Sequence, residues 1–522
     1  MAFAEIQLPR NRRLGTYQPG VRRPARSRGG VTFYLKRTAL TIAAVMVVVF
    51  GFQYTFPTPP RFSFDRVLSL SASDRILVVA PHCDDESLAT GGLIAKACSR
   101  GIPVTTVIVT NGDGFTLAAE DRFHSLRVTP QKLIELGRVR QEESLRALRT
   151  LGVPEDHVIF LCYPDRGLSH LWEDHWDKEH PYTSRYTRVS SSPYERCFRP
   201  GTRYAGESLA GDLMTIIANV RPSLIFLPHP NDAHPDHSTA YCFVTYALQC
   251  LEEHGVLDPN GVKVFTYVVH RGNWPAPKGL NIKRGLVPPA GLLRTDTNWV
   301  ELPLDPILAR KKLLAILEYK SQTAIMRRYM VSFARSNEFY GEIPVIKAER
   351  VADGSIVIDG SARDWPGGIG SFNNTVGDAL IRRVEAPADI ARFYVARDEA
   401  CLLVRVDTRG NSTSRVTYRV HLHPVGGCPP GVRLRYDLEL KPPGYVRVVA
   451  RDDGRGGTPA GDGQLGTSPR AMVRFWASGR TLELGVPVEI LGTSRTILIN
   501  IESRVGDIRV DQTGWQLLRL CP

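Results

Sequence analysis

The stretch "RILVVAPHCDDESLATGGLIAKACS", residues 75–99, decides the fold. Its first part is a short apolar run that ends on a proline, which predicts a buried strand over 75–82. Its second part predicts a helix running to about Ser99. Between them one histidine, one cysteine and three acids follow without a gap. Acids this dense repel one another unless a cation or solvent separates them. A strand entering a helix through such a turn is the first unit of an α/β sheet.

The same rhythm continues outward. Strands are expected at "PVTTVIVTNG" (103–112), "HVIFLCYPD" (157–165), "PSLIFLPHP" (222–230) and "VKVFTYVVH" (262–270). Helices are expected over 129–153, where the periodicity stops on a glycine, over 206–220, and from the HPDH segment to about His254. The fold class is therefore α/β, a doubly wound, Rossmann-like, mainly parallel sheet. Near Val345 the pattern changes to short alternating segments between glycine turns. "SIVIDG", "ACLLVRVDT", "RVTYRVHLH", "RLRYDLEL", "YVRVVARD", "TLELGVPV" and "TILINIES" read as strands of an all-β sandwich domain.

Residues 1–37 carry nine Lys/Arg against one acid, a net +8 that leaves +5 of the chain's +13 for the rest. The remainder is mildly basic without an aromatic-interleaved basic stripe, so nucleic acid is not expected as a partner. The next nineteen residues, 38–56, contain no charge, long enough for a transmembrane helix. The basic flank predicts a cytoplasmic N-terminus and an extracytoplasmic catalytic domain, anchored to the membrane by a single pass. The expected organisation is a basic arm (1–37), a transmembrane anchor (38–56), a linker (57–73), an α/β domain (74–344) and a β-sandwich (345–522). Nine cysteines include no CxxC pair, which excludes zinc-ribbon and thioredoxin motifs.

Ligands of open α/β sheets bind beyond the carboxyl ends of the strands. His82, Asp84 and Asp85 follow the first strand, and "HPNDAHPDHSTA" (229–240) follows the fourth with His229, Asp232, His234, Asp236 and His237. Two strand ends thus bring histidines and aspartates to one edge. Two histidines and a carboxylate with open positions suit a catalytic zinc ion, although another divalent metal fits the same types.

"PHCDDE" followed by "HPDH" resembles the PIG-L/LmbE de-N-acetylases, which carry (A/P)HPDDE and HxxH. The resemblance covers roughly residues 74–340 and includes "RQEESLRALRTLGV", "YPDRGL", "VVHRG", "KKLLAILEYKSQ" and "FARSNEFYG". It implies zinc-dependent removal of acetyl from N-acetylglucosaminyl groups and related amides. Carried over by position, it implies His82, Asp85 and His237 as metal ligands and Asp84 as general base. It further implies that His234 stabilises the oxyanion or protonates the leaving amine, and that Asp236 orients a histidine. Cys83 departs from the pattern, which has proline there.

Other residues have two readings each. Arg140 and Glu143 are an i,i+3 ion pair or a support near the pocket. Asp165 and Arg166, after the third strand, contact sugar hydroxyls or cap a loop. His270 lines the pocket after the fifth strand. Glu86 caps the following helix or pairs with a cation. Aromatic residues over 169–204 stack on sugars or pack the loop. The C-terminal start "IVIDGSARDWPG" resembles family-nine-like carbohydrate-binding modules, in which Trp365 and Trp515 are binding or core residues. The expected partner is an N-acetylated amino-sugar glycan or glycolipid. The alternatives are a catalytically silent glycan-binding protein and an amidase acting on another small N-acyl conjugate.

Overall fold

The first strand, β1 (Ile76–Ala80), is buried along its whole length, as a central strand of a parallel sheet must be. In the computed structural model of the chain, residues 62–125, 127–258, 261–375, 386–425, 434–452 and 473–522 are described. β1 pairs in parallel with β2 (Val104–Thr110) on one side and β4 (Leu224–Pro228) on the other. β3 (Val158–Tyr163) extends the sheet beyond β2, and β5 (Lys263–Tyr267) extends it beyond β4. The order β3-β2-β1-β4-β5 places the topological switch point between β1 and β4, where a crevice opens past the strand ends.

Strand alternation divides the core. Ile76, Val78 and Ala80 face one apolar layer with α1 (Asp85–Ser99), α3 (Pro130–Leu151) and α7 (Pro306–Ile316). Leu77 and Val79 face the other with α5 (Gly206–Val220) and α6 (Pro235–Glu253). Between them in sequence lie two short helices, α2 (Thr116–Arg122) and α4 (Leu168–Glu173). The ends of α3 are written locally. The Thr129 side chain accepts from Lys132 N, Pro130 occupies the first turn, and Gly152 stops the helix at φ 106°.

Two strands beyond the expected set complete the sheet. β6 (Asn298–Pro303) and β7 (Asn337–Glu342) join antiparallel next to β5, ahead of the β domain, with α7 and α8 (Lys320–Met330) between them in sequence. Residues 62–73, expected as linker, lie along this edge: Leu68 N donates to Glu301 O at 2.7 Å and Phe64 stacks on Phe339.

The C-terminal residues form an all-β domain. β12 (Thr417–Val425) pairs with β13 (Leu434–Lys441) and β17 (Thr496–Val505), and β14 (Tyr445–Asp452) pairs with β13. β18 (Ile508–Gln512) flanks β17, and the other half is built from β9 (Gly370–Asn373), β10 (Ile390–Arg397), β11 (Cys401–Thr408), β16 (Thr481–Pro487) and β15 (Arg474–Ser478). β8 (Ile346–Arg350) bonds to β10 and to β19 (Gln516–Leu520), so the halves are continuous there and share one apolar core. "SIVIDG" does not form the expected strand. Its backbone donors turn to carboxylates instead: Val357 N to Asp364, and Asp359 N and Gly360 N to Glu483.

One expectation is overturned. Among the described residues no helix is long and apolar enough to cross a membrane. The single-pass membrane placement, with its cytoplasmic N-terminus and extracytoplasmic catalytic domain, is therefore not supported. The 1–37 arm and the 38–56 span on which it rested lie outside the described residues.

Candidate metal and catalytic site

The turn after β1 is held in an uncommon backbone state. Asp84 sits at φ 128°, a region L-residues adopt only when their surroundings hold them there. Three contacts do so from below. Glu86 folds back to accept from Asp84 N at 3.2 Å, and is itself bonded by Ser87 Oγ and Tyr319 OH. Arg140, reaching up from α3, donates to Cys83 O at 2.6 Å and to Gly112 O at 2.7 Å. Asp84 is the N-cap residue of α1, yet its side chain makes no capping bond. The carboxylate is left facing the crevice, 3.4 Å from the Arg140 guanidinium. Burial pushes it up to about 8 against the pull of Arg140, within the range of a base that works near neutral pH.

At the switch point the two polar turns meet. His82 Nδ1, Asp85 Oδ2 and His237 Nε2 lie 3.0–3.3 Å from one another. His270 joins these three within 4.8 Å, and a second grouping holds His82, His234 and Asp236. The donor set fits a divalent cation. Two imidazole nitrogens and a carboxylate converge on one point, and Asp85 Oδ1 is buried with no hydrogen-bond partner. His237 Nδ1 faces Asp232 Oδ2 at 3.4 Å, where a carboxylate can orient the imidazole. Asp232 also accepts from His234 N, Val269 N and His270 N, which ties both ends of the HPNDAHPDH turn to the end of β5.

His234 caps α6. Its Nδ1 accepts from Asp236 N at 3.2 Å, so the ring hydrogen resides on Nε2. Burial, then the neighbouring histidines, push it down to about 2 and keep it a neutral donor. Asp236 accepts from Arg166 N at 2.6 Å and Leu168 N at 3.2 Å, and stands 3.3 Å from His82 Nε2. Asp165 Oδ1 is 3.3 Å from the same nitrogen, and its Oδ2 accepts from Gly114 N.

The structure thus brings His82, Asp84, Asp85, Asp165, His234, Asp236, His237 and His270 into one crevice. The Arg166 side chain is exposed at its rim. Arg140 is buried beneath the turn with its donors engaged by backbone, so it supports Asp84 instead of reaching a ligand. Glu143 does not pair with Arg140; it accepts from Ser321 N and Oγ. His229 lies under the site against Thr297 and Trp299. Cys83 points into the core, where burial lifts its thiol to about 12, outside the metal-binding groups. Of the 169–204 aromatics, Trp172, Trp176, Tyr194 and Tyr204 are buried in the core. Tyr186 lies against Gly114 beside Asp165.

Sequence reasoning passed over Asp113, buried and lifted to about 7, whose carboxylate accepts from Tyr194 OH. Its only signal was the "NGDG" turn after β2. It also treated His270 as pocket lining, although the residue sits among the donor atoms. Trp365 and Trp515 are each 8% exposed, and Trp365 Nε1 is tied to Glu483 Oε1 at 2.6 Å.

A doubly wound sheet with a histidine-aspartate cluster at its switch point defines a class of α/β protein equipped to hold a metal at the carboxyl edge. Residues 77–248 match the family model described as PIG-L, GlcNAc-PI de-N-acetylase. A 1D-myo-inositol 2-acetamido-2-deoxy-alpha-D-glucopyranoside deacetylase of Nocardia farcinica is 28% identical over 35% of this chain and 55% of its own length. A diacetylchitobiose deacetylase of Thermococcus kodakarensis is 26% identical over 32% of this chain and 46% of its own. The chain thus spans about half the length of these curated relatives. Among solved structures, an N,N'-diacetylchitobiose deacetylase from Pyrococcus horikoshii is 18% identical and covers 51% of this chain and 82% of its own, at a TM-score of 0.31.

Proposed function

We propose that the α/β domain is a metal-dependent de-N-acetylase that hydrolyses the acetamido group of an N-acetylglucosamine-type sugar. The observation that carries this reading is the convergence of His82 Nδ1, Asp85 Oδ2 and His237 Nε2 beside a carboxylate and a neutral imidazole. The names of the relatives, deacetylases of acetamido sugars, support the substrate class. His82, Asp85 and His237 would hold the cation, with His270 next to them. Bound there, zinc or another divalent ion supplies Lewis acidity toward the acetyl carbonyl.

The chain's own residues do the rest. Asp84 takes a proton from water as its oxygen bonds to the carbonyl carbon. Asp232 fixes the His237 ring, and Asp236 fixes the 166–168 turn against His82. His234 Nε2–H donates to the oxygen that gains charge, and the proton that Asp84 took from water passes to nitrogen as the C–N bond breaks. Acetate and a free amine leave. Asp165 and Arg166 border the space for the sugar, with Tyr186 beside them.

The test is acetate release from N,N'-diacetylchitobiose and from an N-acetylglucosaminyl inositol by the full chain. Chelation should abolish release and added zinc should restore it, whereas His237→Ala should bind no metal. Full turnover after the metal is stripped, or no release from any acetamido sugar by metal-loaded protein, would overturn the reading.

A further inference from the structure

A cavity of about 360 Å³ lies between the α/β domain and the open face of the β domain, within the range of small-molecule sites. One wall is the outer side of the turn that carries His234, from Asp232 to Thr239. The opposite wall is the face shared by β12, β13 and β17. Residues two apart on a strand share a face, so Arg419 and His421 stand beside Asp437 and Glu439 on one flank. Asn500 and Glu502 stand on the other.

The lining has five guanidinium groups and six carboxylates. Nearly balanced, it offers no net field for an anion. The β-domain acids are already engaged. Glu439 pairs with Arg419 at 3.2 Å, Asp437 with Arg435 at 3.0 Å and with His421 at 2.6 Å, and Glu502 with Arg504 at 3.0 Å. Across the cavity Asp232 is held by three backbone amides.

What remains is a set of donors. Asn500 uses its Oδ1 to accept from Thr513 Oγ1, while its Nδ2 has no partner among the described residues. Trp515 Nε1 likewise has none, and Arg447 forms no ion pair among them. Asn500 and Trp515 are 5% and 8% exposed, so these donors open on the cavity from nearly buried side chains. Donors so placed are completed by acceptors. A ligand that completes this cavity brings several uncharged oxygens.

We infer that the cavity is a second saccharide site, which holds an acetamido-sugar unit of the glycan away from the reacting residue. The choice of an acetamido sugar rests on the proposed function; the surplus of donors does not. The site makes the β domain a contributor to substrate length preference.

The test is calorimetric titration of tetra-N-acetylchitotetraose and of N-acetylglucosamine into the full chain carrying Asp84→Asn, which prevents turnover. The tetrasaccharide should bind more tightly than the monosaccharide. Added singly, Asn500→Asp, Trp515→Phe and Arg447→Ala should each weaken the tetrasaccharide about tenfold, the size of one lost hydrogen bond in a desolvated site. Monosaccharide binding should not change. Asn500→Asp keeps the acceptor for Thr513 and the side-chain volume, whereas Trp515→Phe also removes part of a core ring, so thermal unfolding of each variant separates a packing loss from a binding loss. Equal tetrasaccharide affinity in parent and variants, no tetrasaccharide binding, or displacement of the tetrasaccharide by inorganic phosphate would overturn the site. Donor-dependent binding with no acetate release from the Asp84-containing chain would sink the proposed function and leave the cavity standing.

Discussion

Arg140→Met removes a guanidinium while filling much of its space, and the cost can be worked from its contacts. The fork donates to Cys83 O at 2.6 Å and to Gly112 O at 2.7 Å, from a side chain that is nearly buried. Hydrogen bonds from a charged donor contribute about 1.5–3 kcal/mol each. Two of them set a ceiling of about 6 kcal/mol, and breaking a buried ionic network costs about 3–5 kcal/mol. We expect about 4 kcal/mol, because Asp84 also loses its cation. At roughly 3 kcal/mol per molar urea, the unfolding midpoint of the α/β domain should fall by about 1.3 M. Arg140→Lys should recover less than half, since an ammonium lacks the planar fork that spans both carbonyls. Gly112→Ala should reproduce the loss from the other side: its Cβ would lie 1.8 Å from Arg140 Nη1, at φ +64°. The assay is urea unfolding followed by tryptophan fluorescence, with metal content measured in parallel. A midpoint within about 0.3 M of the parent for Arg140→Met would refute the account of how Asp84 is held.

Three further outcomes are expected. Asp84→Asn should keep the fold and the metal but lose about 10²–10⁴-fold in kcat, as loss of a general base does; activity within a few-fold would remove Asp84 from that role. Cys197 should react first with iodoacetamide near pH 7.5, because its hydrogen bond with Cys162 draws the thiol down to about 7, while Cys83 stays unlabelled; mass mapping that finds Cys83 modified first would contradict this. The β domain should be most stable at mildly acidic pH. Burial opposes charge on both groups, but His421 is raised above 6.5 by Asp437 and Glu502, so its contribution is complete below 6.5 and is lost as pH rises through its folded value. Glu502 is lowered from 4.5 to about 2 by His421 and Arg504, so its contribution is complete above 4.5 and is lost as pH falls toward 2. Glu502→Gln should flatten the acid limb in thermal unfolding, and an unchanged limb would count against the pairing.

The parts of this protein that depend on near neighbours are written in its sequence. The apolar run of β1, the Thr129–Pro130 start and Gly152 stop of α3, and the pairing of PHCDDE with HPDH at two strand ends were legible because period, caps and turn residues act within a few positions. Tertiary structure decided what depends on distant partners. β6 and β7 add to the sheet antiparallel only because β5 leaves an edge there. "SIVIDG" alternates like a strand, but Glu483, more than a hundred residues away, takes its backbone donors. His270 becomes a neighbour of His237 because Asp232 draws the end of β5 onto the HPNDAHPDH turn. The tryptophans of the 169–204 loop fill a core shared with Trp515, a position that no periodicity in either segment encodes. Burial sets the proton affinity of Asp84 and His234, and burial is a property of the whole packed chain.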